Sequence, residues 1–304
     1  MRQGYYHFLE EVTVEGRQGL VKRTRPSEYH ADLRTWSERE VLLAIGNSGI
    51  RAPLVLSSHG VDGAFVIEHL PGLTVEDHWP RGTALPPGTA EDLAMLLAQL
   101  TSVPPSALPD LPAGRPTGDD AAGFFALLIE HTKGLLRGCP SEHDERLQAF
   151  GVDEAALQEV IGVGAHIPPR LLGLCHGDLN RGNLLRHGGQ TWVLDWELAT
   201  LGDPAWDIAV LLHRGGLCPR DARTLRTQLA AVHPHAPAEE SVVAYLRLEQ
   251  FRSLVVDSVR YRARGLAAET AERRRLAERL TAKLREARPN RTWSASEVAT
   301  LLYD

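Results

Sequence analysis

The apolar pattern of this chain changes period near residue 70, and that change limits the fold more than any other feature. Before it, short runs read as strands. "HFLEEVTVEG" and "QGLVKR" form a hairpin around a Gly-Arg-Gln-Gly turn, and "APLVLSS" and "GAFVIEHL" form two more strands around a turn at 60–63. Between the pairs lies one helical segment over 27–46, opening on Ser27 as a cap, most regular from Leu33, and ending at Gly46. Pro71–Gly72 then breaks the pattern. Helical spacing dominates afterwards. Leu93, Leu96, Leu97 and Leu100 share one face, and so do Ala244, Leu248, Phe251, Val255 and Val259. "DDAAGFFALLIEHTKGLL" and "DEAALQEVIGVG" also read as helices, and Pro104 to Pro116 as a loop. A small strand-rich part with one helix, then a large helical part, is an α+β arrangement. It predicts a division into 1–70 and 71–304.

One stretch of the helical half resists helix formation. "HGDLNRGN", His176–Asn183, sets two glycines, an aspartate and two asparagines within eight residues. Apolar "RLLGLC" precedes it and "LL" and "TWVLDW" follow, so it reads as a polar loop between short buried strands. By composition alone, a hydrated turn in which Asp and Asn bond their own backbone explains it equally well. "LDWE" at 194–197 and "GDPAWDIA" at 202–209 tip the balance. Asn183 and Asp195 supply oxygen donors suited to a hard cation such as Mg2+. Asp178 supplies a carboxylate to orient a hydroxyl and accept its proton. Phosphoryl transfer asks little more of a protein than in-line positioning and charge neutralisation. Asp203 before Pro204 reads as a helix N-cap, with Asp207 one turn further on.

Composition narrows the class. A net charge of −6 weighs against a nucleic-acid partner. No apolar run suits a membrane span and no secretory signal stands at the N-terminus, which points to the cytoplasm. Cys139, Cys175 and Cys218 fit neither a disulfide framework nor a zinc pattern. Nearly all basic residues are arginine, with lysine only at Lys22, Lys133 and Lys283. Each lysine therefore raises the question of why arginine would not serve. Lys22, in "GLVKR", is placed to meet phosphates from a strand.

The series H-G-D-x-x-x-x-N, "LDWE" and "GDPAWDIA" resembles the aminoglycoside phosphotransferase/choline kinase-like family of small-molecule kinases, with the family's order and close spacing. The resemblance implies a bilobal protein-kinase-like fold: a small N-lobe with an antiparallel sheet and one helix, and a large, mainly helical C-lobe. It implies an ATP- or GTP-dependent transfer of phosphate to a hydroxyl of a small molecule, with Mg2+. It makes Asp178 the catalytic base, Asn183 and Asp195 the Mg2+ ligands, and Lys22 the contact to the α/β-phosphates. Glu38, preferred to Glu40 on the family's offset, becomes the partner of Lys22. "VIEHLPG" resembles the hinge between lobes, so backbone groups of Glu68, His69 and Leu70 would meet the nucleotide base.

Two departures from the pattern matter. Glycine follows His176 where many protein kinases carry arginine, and few residues separate "LDWE" from "GDPAWD", so neither an activation-loop switch nor a protein substrate is expected. No GxGxxG precedes Lys22, and "RQGYYHF" has a single glycine, so a shortened phosphate hairpin is expected. That second point keeps a non-catalytic, pseudokinase-like nucleotide binder as the alternative. A metal-dependent hydrolase using His176, Asp178 and His187 is a third reading, and it leaves Lys22 unexplained.

Overall fold

A computed structural model describes residues 2–3, 7–24, 33–58, 64–233 and 235–303. The expected turn at 60–63, the first six residues of the expected 27–46 helix, and 4–6 of the expected phosphate hairpin lie outside the described residues. The chain opens with β1 (Arg2–Gln3), β2 (His7–Val14), β3 (Arg17–Thr24), α1 (Glu38–Ile45), β4 (Val55–Ser57) and β5 (Phe65–Glu68). Next come β6 (Leu73–Thr74), α2 (Val75–His78), α3 (Thr89–Ser102), α4 (Ala121–Gly138), α5 (Asp144–Ala149) and α6 (Glu154–Gly164). The short strands β7 (Gly173–Cys175), β8 (Leu184–His187), β9 (Gln190–Val193) and β10 (Thr200–Gly202) follow. Five helices close the chain: α7 (Pro204–Arg214), α8 (Pro219–Val232), α9 (Glu239–Leu266), α10 (Thr270–Ala287) and α11 (Ala295–Tyr303). Two compact units result, neither continuous in sequence: 1–121 with 169–238, and 122–168 with 239–304. The change of pattern at residue 70 falls inside the first.

The first unit carries an antiparallel sheet in the order β1-β2-β3-β5-β4. The β2–β3 turn is tighter than the expected Gly16–Gly19 loop. Only Glu15 and Gly16 make it, both at positive φ (50° and 80°), as a two-residue hairpin turn requires. Gly19 lies within β3, where a Cβ would come 2.6 Å from the side chain of Val66. The helix also starts later than its apolar periodicity from Leu33 suggests. Ser37 caps α1 and Glu40 returns the bond to the Ser37 amide, a capping box that fixes the start at Glu38. Leu33 and Trp36 are buried but not helical. The same unit holds the β6-β8-β9 sheet and the β7–β10 pair. Leu93, Leu96, Leu97 and Leu100 of α3 are all buried, and α3 packs against α8, β7 and β9.

The second unit is helical. The expected stripe on α9, from Ala244 to Val259, is buried, and α9 packs against α6, α10 and α11. Gly164 of α6 has no Cβ because the Phe125 ring occupies that place, 2.1 Å away. Glu249 and Asp257 are buried in ion pairs, Glu249 with Arg252 at 2.5 Å and Asp257 with Arg260 at 2.6 Å and with Lys283. Among the described residues, no helix is long and apolar enough to cross a membrane.

Candidate active site

Lys22 stands near the end of β3, opposite Leu9 of β2 and Phe65 of β5, and is 5 % exposed. Its Nζ lies 2.5 Å from Glu38 Oε2 and 2.7 Å from Asp195 Oδ1. Glu38 opens α1, and its Oε1 accepts the Trp196 amide at 3.1 Å. The helix start, the strand lysine and the "LDWE" segment thus meet at one point. Glu40 is occupied with the cap at Ser37. Burial opposes the charge on Lys22, but the attraction of Glu38 and then Asp195 outweighs it and raises the amine's pKa. Asp195 itself is left-handed, at φ 65°, a conformation uncommon outside glycine.

The "HGD" loop is held from below by α7. Asp207, 1 % exposed, accepts the amides of His176 at 2.6 Å and Gly177 at 2.8 Å. Gly177 has φ 78°, and a Cβ there would lie 2.6 Å from the Leu198 carbonyl oxygen. No other residue fits without moving that backbone. His176 Nδ1 accepts the Asp178 amide at 3.2 Å, so the ring proton sits on Nε2 and meets the Leu194 carbonyl at 3.1 Å. Burial lowers its pKa and keeps it neutral. With both nitrogens engaged, His176 shapes the loop and is not a metal ligand. His187 Nδ1 meets the Pro71 carbonyl, and among the described residues no group of three or more His, Cys, Asp or Glu is arranged to hold a metal ion. Asp203 caps α7 through the Ala205 amide and is clamped by Arg170 at 2.9 Å to both oxygens.

Asp178 is held at both carboxylate oxygens. Arg214 reaches Oδ1 at 2.8 Å, and Asn183 Nδ2 reaches Oδ2 at 3.0 Å. Asn183 Nδ2 also bonds the Asp178 carbonyl at 2.9 Å. Its nitrogen is therefore committed, and its side-chain oxygen is the end suited to a cation. The Asp195 side chain remains 32 % exposed. One amide oxygen and one carboxylate are hard donors, a set that fits Mg2+ sharing phosphate oxygens with a substrate. In the hinge-like segment, the Glu68 amide is bonded to the Leu54 carbonyl and the His69 amide to the Gln18 carbonyl. Of these three residues, only Leu70 has an amide with no internal hydrogen bond among the described residues.

A model of the phosphotransferase enzyme family matches residues 11–245. The chain belongs to that family. No curated protein sequence matches it. Among solved structures, it is similar to a thermostable aminoglycoside phosphotransferase APH(4)-Ia in complex with ADP and hygromycin B. The identity is 17 %, over 95 % of this chain and 93 % of that one, with a TM-score of 0.60. The choline kinase LicA of Streptococcus pneumoniae matches at 16 % identity over 94 % and 92 % of the two chains, with a TM-score of 0.57. An ethanolamine kinase of Plasmodium vivax matches at 13 % over 83 % and 73 %, with a TM-score of 0.55. At these identities the likeness speaks for the fold, the α+β protein-kinase-like fold.

Sequence reasoning missed two arginines of this phosphotransferase-family site. Arg214 touches Asp178 from the end of α7. Arg181, 3 % exposed, donates to the carbonyls of Trp79, Thr83, Gly215 and Gly216 and so ties the loop to its surroundings. In an arginine-rich chain neither stood out. Arg181 lies within the motif, between Asp178 and Asn183, and that position was the available signal.

Proposed function

We propose that the chain is an ATP-dependent kinase that moves the γ-phosphate to a hydroxyl of a small molecule. The reading rests above all on Lys22 lying between Glu38 and Asp195, in the same unit as an Asp178 whose carboxylate is fixed by Asn183. In this reading residues 1–70 hold the nucleotide and 71–304 supply catalysis and the acceptor site. Lys22 binds non-transferred phosphates, and Glu38 keeps its ammonium in place. The Leu70 amide is the hinge donor best suited to the base. Asn183 and Asp195 hold Mg2+, which neutralises phosphate charge when bound. Asp178 accepts the acceptor's hydroxyl proton as the new O–P bond forms and the bond to the leaving diphosphate breaks. The buried, neutral His176 and the Asp207 bonds keep the loop rigid, so Asp178 needs little rearrangement on binding. A cytoplasmic location accords with ATP as donor.

The test incubates the protein with Mg-ATP and a pooled panel of amino alcohols, aminoglycosides, sugars and hydroxy acids. Acceptor-dependent ADP release is the expected outcome, falling about 10³-fold in Asp178→Ala. Nucleotide binding without transfer to any acceptor would instead assign the non-catalytic role.

A further inference from the structure

We infer that the second compact unit binds a small aromatic monocarboxylate in a cavity of its own. The cavity measures about 470 Å³, a size suited to a small molecule. All its lining residues belong to the second unit, whereas Lys22, Asp178, Asn183 and Asp195 belong to the first. One stripe of α9 forms a wall. Arg247, Gln250, Phe251 and Leu254 follow the i, i+3, i+4, i+7 spacing that sets four side chains on one helix face. The stripe is graded: Arg247 is exposed, while Phe251 is 3 % exposed and Leu254 1 %. At the helical rise it runs over about 10 Å, which matches a two-ring acid with its charge at one end. Phe150 and Trp293, both buried and with ring centres 5.9 Å apart, add aromatic surface to the lining.

Charge decides what the open end takes. Three arginines line the cavity, and two already face carboxylates. Arg288 lies 3.6 Å from Glu159 and donates to the Gly151 carbonyl. Arg291 pairs with Glu297 at 2.9 Å, and its guanidinium covers the Trp293 ring at 3.8 Å. Arg247 makes no ion pair or hydrogen bond among the described residues. One positive charge is left over, the complement of a single carboxylate, which a guanidinium receives through its fork of N–H donors. Two buried side chains of the lining also carry polar atoms without a hydrogen-bond partner, Trp293 Nε1 and Gln250 Oε1. An indole N–H only donates, so the partner it lacks is an acceptor. The Gln250 amide presents its NH2 end to an acid after a half-turn of its terminal torsion.

The experiment titrates the full-length chain calorimetrically with naphthoate, and in parallel with neutral naphthamide, cationic naphthylmethylamine and saturated octanoate. Naphthoate should bind at least about tenfold more tightly than each of the other three. Arg247 is exposed, so Arg247→Gln should fold normally. That variant should weaken naphthoate about tenfold and leave naphthamide unchanged. Equal affinities for naphthoate and naphthamide would overturn the inference, and so would octanoate binding as tightly as naphthoate. An Arg247→Gln variant with undiminished naphthoate affinity would do the same, as would the lack of any binding up to about 1 mM naphthoate. The readout is binding alone, so failure here leaves the phosphotransfer reading untouched.

Discussion

Among the described residues, the buried ion cluster around Lys22 in the first compact unit and the one on α9 in the second are built differently. Around Lys22 the partners come from 16 and 173 residues away in sequence, and the cluster stays open at one side: Glu38 is 4 % exposed in its side chain but Asp195 is 32 %. Around α9 the pairs are largely local, Glu249 with Arg252 and Asp257 with Arg260, each three residues apart, and both carboxylates are closed off at 0 % and 3 % exposure. A sealed local pair satisfies its own charge and holds a helix together. A half-open, long-range cluster keeps one carboxylate accessible, which a site for a polyanion and its cation needs. Scarcity of lysine does not distinguish the two. Lys22 belongs to the first cluster and Lys283 to the second, while Lys133 pairs with Glu130 on the surface of α4.

If the contrast holds, substitutions in the two clusters should affect different measurements. Arg252→Leu leaves Glu249 without its closest cation in a fully buried position. The melt should show a loss of about 3 kcal/mol, with kcat/KM of the remaining folded protein little changed. A variant that lost activity and kept its stability would break the comparison. Lys22→Arg should do the reverse. It keeps a cation but replaces a compact ammonium between two carboxylates with a broad fork, so kcat/KM for ATP should drop about 10²-fold while the protein stays folded.

The smallest effect is in the pH dependence of stability. His176 is neutral when folded and its pKa is lowered chiefly by burial, so the unfolded chain binds a proton that the folded chain does not. Stability should therefore be full above the ordinary histidine value of 6.5 and should decline as pH falls below it. One such proton contributes at most about 1.4 kcal/mol per pH unit. Urea titrations across that range should show a shallower slope in His176→Gln. An unchanged slope would mean that the ring is protonated in the folded loop. Lys22, whose pKa is raised, should add nothing to the profile in this range, because it is charged in both states.

Much of the fold was legible locally. The period-2 runs became β2, β3, β4 and β5, and the leucine face of α3 and the long stripe of α9 were buried as their spacing required. The start of α1 was also written in the sequence, in the Ser37 to Glu40 capping signal, but the apolar spacing from Leu33 masked it. Of the candidate site residues, Asp178, Asn183 and Asp195 lie within 18 positions of each other. The loop between buried strands could be read from glycine and asparagine content. Glu38 was chosen over Glu40 through the family resemblance, although the same Ser37 to Glu40 capping signal, which engages Glu40 at the helix start, already sets the two acids apart locally.

What the sequence determined alone is whatever depends on neighbours along the chain: strand and helix periods, the Asp203–Pro204 helix start, and the glycine that the left-handed turn at 177 demands. What only the tertiary structure decided is which charges meet. Lys22 finds Glu38 and Asp195, Arg214 finds Asp178, and Glu249 and Asp257 close on internal cations, because charge pairing depends on distances across the fold. Backbone geometry is set within a few residues, but a carboxylate becomes a ligand or a strut only when packing decides what stands opposite it.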